Sequence, residues 1–69
     1  MNKQKRVVQN NLKKYRLKAG LSQKQVAKLI GVNNAERVCH WEKGNNIPVM
    51  ANLKKLCSLY STRLEDLYT

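Results

Sequence analysis

Only four acidic residues stand against fourteen lysines and arginines in these 69 residues, a formal charge of +10 at neutral pH. So little acid leaves a surface field of one sign, which suits a polyanion: nucleic acid first, an acidic membrane second. Metal ligands are scarce too. There is one histidine, His40, and the two cysteines, Cys39 and Cys57, have no CxxC spacing. A zinc site needs about four closely grouped ligands, so none assembles here. One disulfide is arithmetically open, but two free, buried thiols suit a chain expected to be cytoplasmic. Paired carboxylates, a Cys-His couple and a phosphate-binding glycine loop are all missing, so no catalytic residue, enzyme activity, cofactor or small-molecule ligand is implied. No apolar run approaches the ~20 residues of a membrane span. The basic N-terminus is not followed by the apolar segment of a signal peptide. Internal repeats and low-complexity tracts are absent as well. Phenylalanine does not occur, so a core must be built from Leu, Val, Ile, Tyr and Ala.

What is present has helical periodicity. A single domain of this length exposes much of its surface, and an all-α compact five-helix bundle is the simplest way to bury its apolar faces. Residues 1–9 read as a basic N-terminal arm, either a frayed end or a segment that follows a phosphate backbone or enters a minor groove. Residues 10–69 read as the domain. The first helix spans Asn10 to Ala19, with Val8, Leu12, Tyr15 and Ala19 on one face, Leu17 off it, and Gly20 at its end. Val7 and Val8 are open to joining its start.

Leu21 to Trp41 reads as two short helices and a tight turn. Ser22 is an N-cap, and Gln25 completes an S-x-x-Q capping box. The helix Gln23–Ile30 presents Val26, Ala27, Leu29 and Ile30 inward, and Gly31 ends it. The next helix starts near Asn33 or Asn34, with Asn33 and Glu36 at cap spacing. It buries Val38 and Trp41 and stops at Gly44. Pro48 suits the first position of a fourth helix, Val49 to Tyr60, with Val49, Leu53, Leu56, Cys57 and Tyr60 inward and Lys54 and Lys55 facing water. Ser61 or Thr62 is expected to cap a short fifth helix that turns Leu64 and Leu67 inward and holds Glu65 and Asp66 in an early turn.

These features occur in a fixed order: LSQ-x-x-VA-x-x-IGV from Leu21, then W-E-x-G-x-x-x-P from Trp41, then L-x-x-LC-x-x-Y from Leu53. Over about residues 10 to 68 the chain resembles the helix-turn-helix domain of the lambdoid phage repressor and Cro family. The resemblance implies five helices and sequence-specific binding of double-stranded DNA by a transcriptional regulator, most readily a repressor. The third helix, about 34–42, would lie in the major groove. It also implies base-contacting candidates Asn34, Ala35, Glu36, Arg37 and His40. Arg37 is the foremost of these: its fork matches O6 and N7 of guanine, with a phosphate contact as its alternative. Glu36 suits cytosine N4 or the Asn33 cap. Backbone-contacting candidates are Gln23, Lys24, Lys28, Lys43, Asn45 and Asn46. A structural ion pair is expected between Arg16 and Glu42.

From Gly31 to Trp41 this chain has one residue more than the usual family spacing. The choice among Asn34, Ala35 and Glu36 as base readers therefore stays open. Helix five, with Leu64, Leu67 and Tyr68, either supplies the interface of a homodimer on a two-fold operator or closes the monomer core. A rival function is an antitoxin or small interaction module that binds a partner protein. Such an antitoxin would want a further segment for its partner, and little remains before Thr69.

Overall fold

The computed structural model describes residues 7–68, which form five helices: α1 (Leu12–Lys18), α2 (Gln23–Ile30), α3 (Ala35–Lys43), α4 (Met50–Leu59) and α5 (Leu64–Leu67). Met1 to Arg6, the bulk of the expected arm, lie outside the described residues. Every helix contributes to one core: Leu12 from α1, Val26, Ala27 and Ile30 from α2, Val38 and Trp41 from α3, Leu56 from α4 with Tyr60 at its C-cap, and Leu67 from α5. No helix among the described residues is long and apolar enough to cross a membrane.

The helix ends show why the chain breaks where it does. Ser22 Oγ accepts from the Gln25 amide at 3.0 Å, while Gln25 Oε1 accepts from the Ser22 amide at 2.8 Å. This reciprocal box starts α2 at Gln23. Gly31 ends it at φ +83°, a left-handed backbone that a Cβ would strain. Asn34, rather than Asn33, begins α3: its side-chain oxygen accepts from the Arg37 amide at 3.3 Å. The α2–Gly31–α3 unit is the most intimately packed helix pair of the fold, whereas α3 meets α1 only lightly.

Several expectations need correction. Leu29 is 61% exposed. The buried stripe of α2 is centred on Ile30, between Val26 and Ala27, and at about 100° per residue Leu29 falls well off that centre. α1 starts only at Leu12, so Val8 is exposed rather than helical, and Ala19 is exposed as well. The face of α1 instead buries Arg16. Val49 is the N-cap of α4, outside its helical stripe and exposed, and Pro48 precedes it in the connection. Neither Ser61 nor Thr62 caps α5, whose N-cap is Arg63 without a side-chain bond. Ser61 takes φ +51° and ends α4, with the Thr62 amide donating back to the Cys57 carbonyl at 3.0 Å. Lys55 does not simply face water, since its ammonium donates to the Ile30 carbonyl at 3.1 Å and caps the C-terminus of α2. Leu67 is fully buried, but Leu64, expected inward, is exposed.

Both cysteines are free and half-buried rather than fully buried. Burial still pushes the Cys57 thiol pKa up. Among the described residues no three His, Cys, Asp or Glu side chains are grouped to hold a metal.

Candidate nucleic-acid interface

The start of α2 and parts of α3 line two concavities. In α2 the Ser22 side chain takes the Gln25 amide. Helix geometry leaves the Gln23 and Lys24 amides pointing out of the helix end, where the helix dipole also favours an anion. Beside them runs a concavity of about 500 Å³ whose walls include Lys13, Gln23, Cys39 and Lys43. It joins the cations of α1 and of the end of α3 to the open amides of α2. Lys13 is a resident of this site that sequence reasoning did not single out. Its place on the first helix gives no local sign that it lines the same concavity as Lys43.

Beneath this concavity lies a polar network. Arg16 Nε donates to Glu42 Oε2 at 2.6 Å and its Nη2 to Oε1 at 3.2 Å, while Nη1 donates to the Leu21 carbonyl at 2.9 Å. Gln23 Nε2 donates to the same Glu42 Oε1 at 3.0 Å. Both charged side chains are almost wholly buried. Hydrogen bonding to Glu42 raises the Arg16 pKa above its ordinary value and outweighs the lowering by burial. One carboxylate therefore ties α1, the first residue of α2 and α3 together. Gln23 has one side-chain N–H committed to that network, which leaves its other N–H, its side-chain oxygen and its backbone amide for an outside partner.

The second concavity, about 340 Å³, lies between α2 and the start of α3. Ala27, Val32 and Ala35 supply apolar walls, and Lys24, Lys28 and Asn34 polar ones. Lys24 and Lys28 are one turn apart and exposed. Asn34 has its oxygen engaged by the cap, which leaves its side-chain N–H groups as donors. Glu36 is exposed, and the Asn33 cap it was expected to close does not form. Arg37 is exposed, with its guanidinium 5.8 Å from the Trp41 ring centroid. At that distance a cation–π attraction steadies an otherwise flexible side chain.

His40 is half-buried at the far end of α3, and its Nδ1 lies 3.1 Å from Asn45 Nδ2. It is thus joined to the loop that carries Asn45 and Asn46, both exposed. The structure brings Gln23 and Lys43 to one concavity, Lys24, Lys28, Asn34 and Ala35 to the other, and His40 to Asn45. Glu36, Arg37 and Asn46 line neither concavity.

Comparison with known proteins supplies the class. Residues 12–67 match the family model described as helix-turn-helix. Two relatives are each 30% identical to this chain over 61 residues, 88% of its length. One is an uncharacterized HTH-type transcriptional regulator, YgzD, from Bacillus subtilis (strain 168), matched over 91% of its length. The other is an uncharacterized HTH-type transcriptional regulator from Archaeoglobus fulgidus, matched over 86%. Among solved structures the chain is similar to the restriction-modification controller protein C.AhdI from Aeromonas hydrophila. That likeness has a TM-score of 0.72 and 28% identity and covers 84% of this chain and 86% of that one. The chain belongs to the helix-turn-helix family of HTH-type transcriptional regulators, a class of DNA-binding proteins and not of catalysts.

Proposed function

We propose that this protein is a sequence-specific, double-stranded-DNA-binding repressor that reads its operator with α3 in the major groove. The observation that carries the reading is the placing of exposed Arg37 on a helix flanked by Lys24 and Lys28 at its start and by Lys43 and the open α2 amides further along. In this arrangement phosphates sit on Lys13, Lys24, Lys28, Lys43 and the Gln23 and Lys24 amides. Asn45 and Asn46 meet the backbone beyond the end of α3. Phosphate contacts fix the register without reading sequence. Reading falls to Arg37 toward guanine, with the Asn34 amide donating to a base or phosphate acceptor. Glu36, free of the cap, accepts from cytosine N4. Ala35 offers an apolar contact for a thymine methyl. His40, tied to Asn45, serves the backbone side.

The likeness to a controller protein supports a regulatory role. A homodimer on a two-fold operator belongs to the same reading, with a basic arm ahead of Val8, whose amide is bonded to the Gly44 carbonyl. Selection of bound duplexes from a random pool tests the proposal. An enriched motif, palindromic if two copies bind, is the expected result. Recovery of unrelated sequences, with affinity equal for all of them, would remove the specific-repressor reading and leave a basic module for a protein partner.

A further inference from the structure

Two neighbouring asparagines ahead of α1 make long-range bonds to α3 and α5. Asn10 Nδ2 donates to the carbonyls of Val8, Trp41 and Glu42 at 3.0, 3.2 and 3.4 Å, and its Oδ1 accepts from the Leu12 amide at 3.0 Å. One side chain thus satisfies the first amide of α1 and reaches two carbonyls in the last turn of α3; that of Trp41 also accepts from the Gly44 amide at 3.1 Å. The Val8 amide adds a bond to the Gly44 carbonyl at 2.9 Å. A Cβ built on Gly44 would stand 2.4 Å from the Val8 carbonyl oxygen, so the strap lies directly on the helix end. Asn11 reaches the other way. Its Nδ2 donates to the Asp66 carbonyl at 2.9 Å, and its backbone amide to the Leu67 carbonyl at 2.7 Å.

We infer that Asn10 is a specificity-determining positioning residue, an amide clip that sets the angle of α3 against α1, whereas Asn11 is a tie to α5 alone. The inference rests on the reading of α3 as the DNA-reading helix. Its physical ground is leverage. The nine residues of α3 span about 13 Å. A swing of about 10° about its C-terminal end moves its first turn by about 2 Å, far more than a hydrogen bond to a base edge tolerates. The core contacts of α3 are mostly with α2. Against α1 the orienting polar contacts are the Arg16–Glu42 pair and the Asn10 clip. Asn10 touches no base in this scheme; it acts through α3.

Serine separates the two roles of the side chain. Asn10→Ser keeps an oxygen for the Leu12 amide and is too short to donate to the α3 carbonyls. Asn11→Ser removes a long-range side-chain bond of the same kind but leaves α3 alone. Both variants are compared with the wild-type protein at low temperature, where circular dichroism shows each fully folded. The readouts are residual dipolar couplings of the α3 amides in the free protein, and affinities for the selected duplex and a scrambled one.

The expected result is that N10S alone reorients α3 and lowers affinity for the selected duplex about tenfold, the loss of roughly one well-made hydrogen bond, with the scrambled duplex changed less than about twofold. N11S is expected to lower the thermal midpoint while leaving the couplings and the affinity ratio within about twofold of wild type. Asn10→Asp, which keeps the size and the acceptor but loses the donor, repeats the test if N10S does not fold. Unchanged α3 couplings in folded N10S, or an equal fall of the ratio in N11S, overturns the inference. Wild-type protein that does not distinguish the duplexes defeats the repressor reading instead, while the couplings still decide whether Asn10 orients α3.

Discussion

Glu42→Ala is the most informative single perturbation of the fold beneath the site. Glu42 accepts two bonds from Arg16 and one from Gln23, and the paired side chains are 9% and 4% exposed. Truncation leaves the Arg16 guanidinium out of water with only the Leu21 carbonyl, and it frees the Gln23 amide. Removing one partner of a buried pair costs about 3–5 kcal/mol, because the remaining charge keeps its desolvation penalty. A chain of 69 residues has a total stability on the order of 3–10 kcal/mol. The variant should therefore be largely unfolded or sharply destabilised at neutral pH. Urea denaturation followed by circular dichroism measures this directly. The paired change Arg16→Met with Glu42→Leu removes both charges and should recover to within about 1 kcal/mol of wild type, since a well-packed apolar pair often matches a buried ion pair. A loss below about 1 kcal/mol in Glu42→Ala, the range of exposed pairs, would refute the reasoning.

Other consequences follow from the caps, the core and one tyrosine. Ser22→Ala removes half of the capping box and should cost about 1 kcal/mol in the same urea assay. Leu29→Gln should change stability by less than about 0.5 kcal/mol, as at ordinary exposed sites; a core-sized loss would put Leu29 back inside. Burial, with the Glu42 charge adding and Arg16 opposing, pushes the Tyr60 pKa from 10.0 up to about 12. The folded state thus holds this proton more tightly than the unfolded chain. That stability is complete below pH 10 and is lost as the pH rises through about 12, amounting to about 2–3 kcal/mol. Tyr60→Phe should flatten alkaline unfolding across that window, and a slope identical to wild type would contradict the assignment.

Local chemistry made α2 legible. Its start is set by Ser22 and Gln25 three residues apart and its end by Gly31, all within the helix or adjacent to it. The burial of Val38 and Trp41 likewise followed from spacing. Leu29 misled because Val26, Ala27 and Ile30 already complete the stripe, and a pattern of apolar letters does not show where its centre lies. Asn10 and Asn11 were unreadable for a different reason. Their partners lie 31 and 55 positions away, and an asparagine before a helix looks the same whether it is solvated or clips two helices together. Arg16 and Glu42 entered only through a family resemblance, since a lysine-rich amphipathic helix gives no internal sign of which cation is buried. Most of the contact candidates named from the sequence are exposed in the structure. The capping role of Asn34, the release of Glu36 and the presence of Lys13 depend on backbone detail and helix packing.

The start of α2 and the exposed side of α3 are the surfaces proposed to meet DNA. Titration of 15N-labelled protein with the selected duplex, followed amide by amide, tests this most directly. The account expects the largest shifts at Gln23 and Lys24, at Asn34 to Arg37 and at Lys43 to Asn46, with the α5 amides Leu64 to Leu67 nearly still. Shifts concentrated on α4 and α5, with those of α3 unmoved, would contradict it.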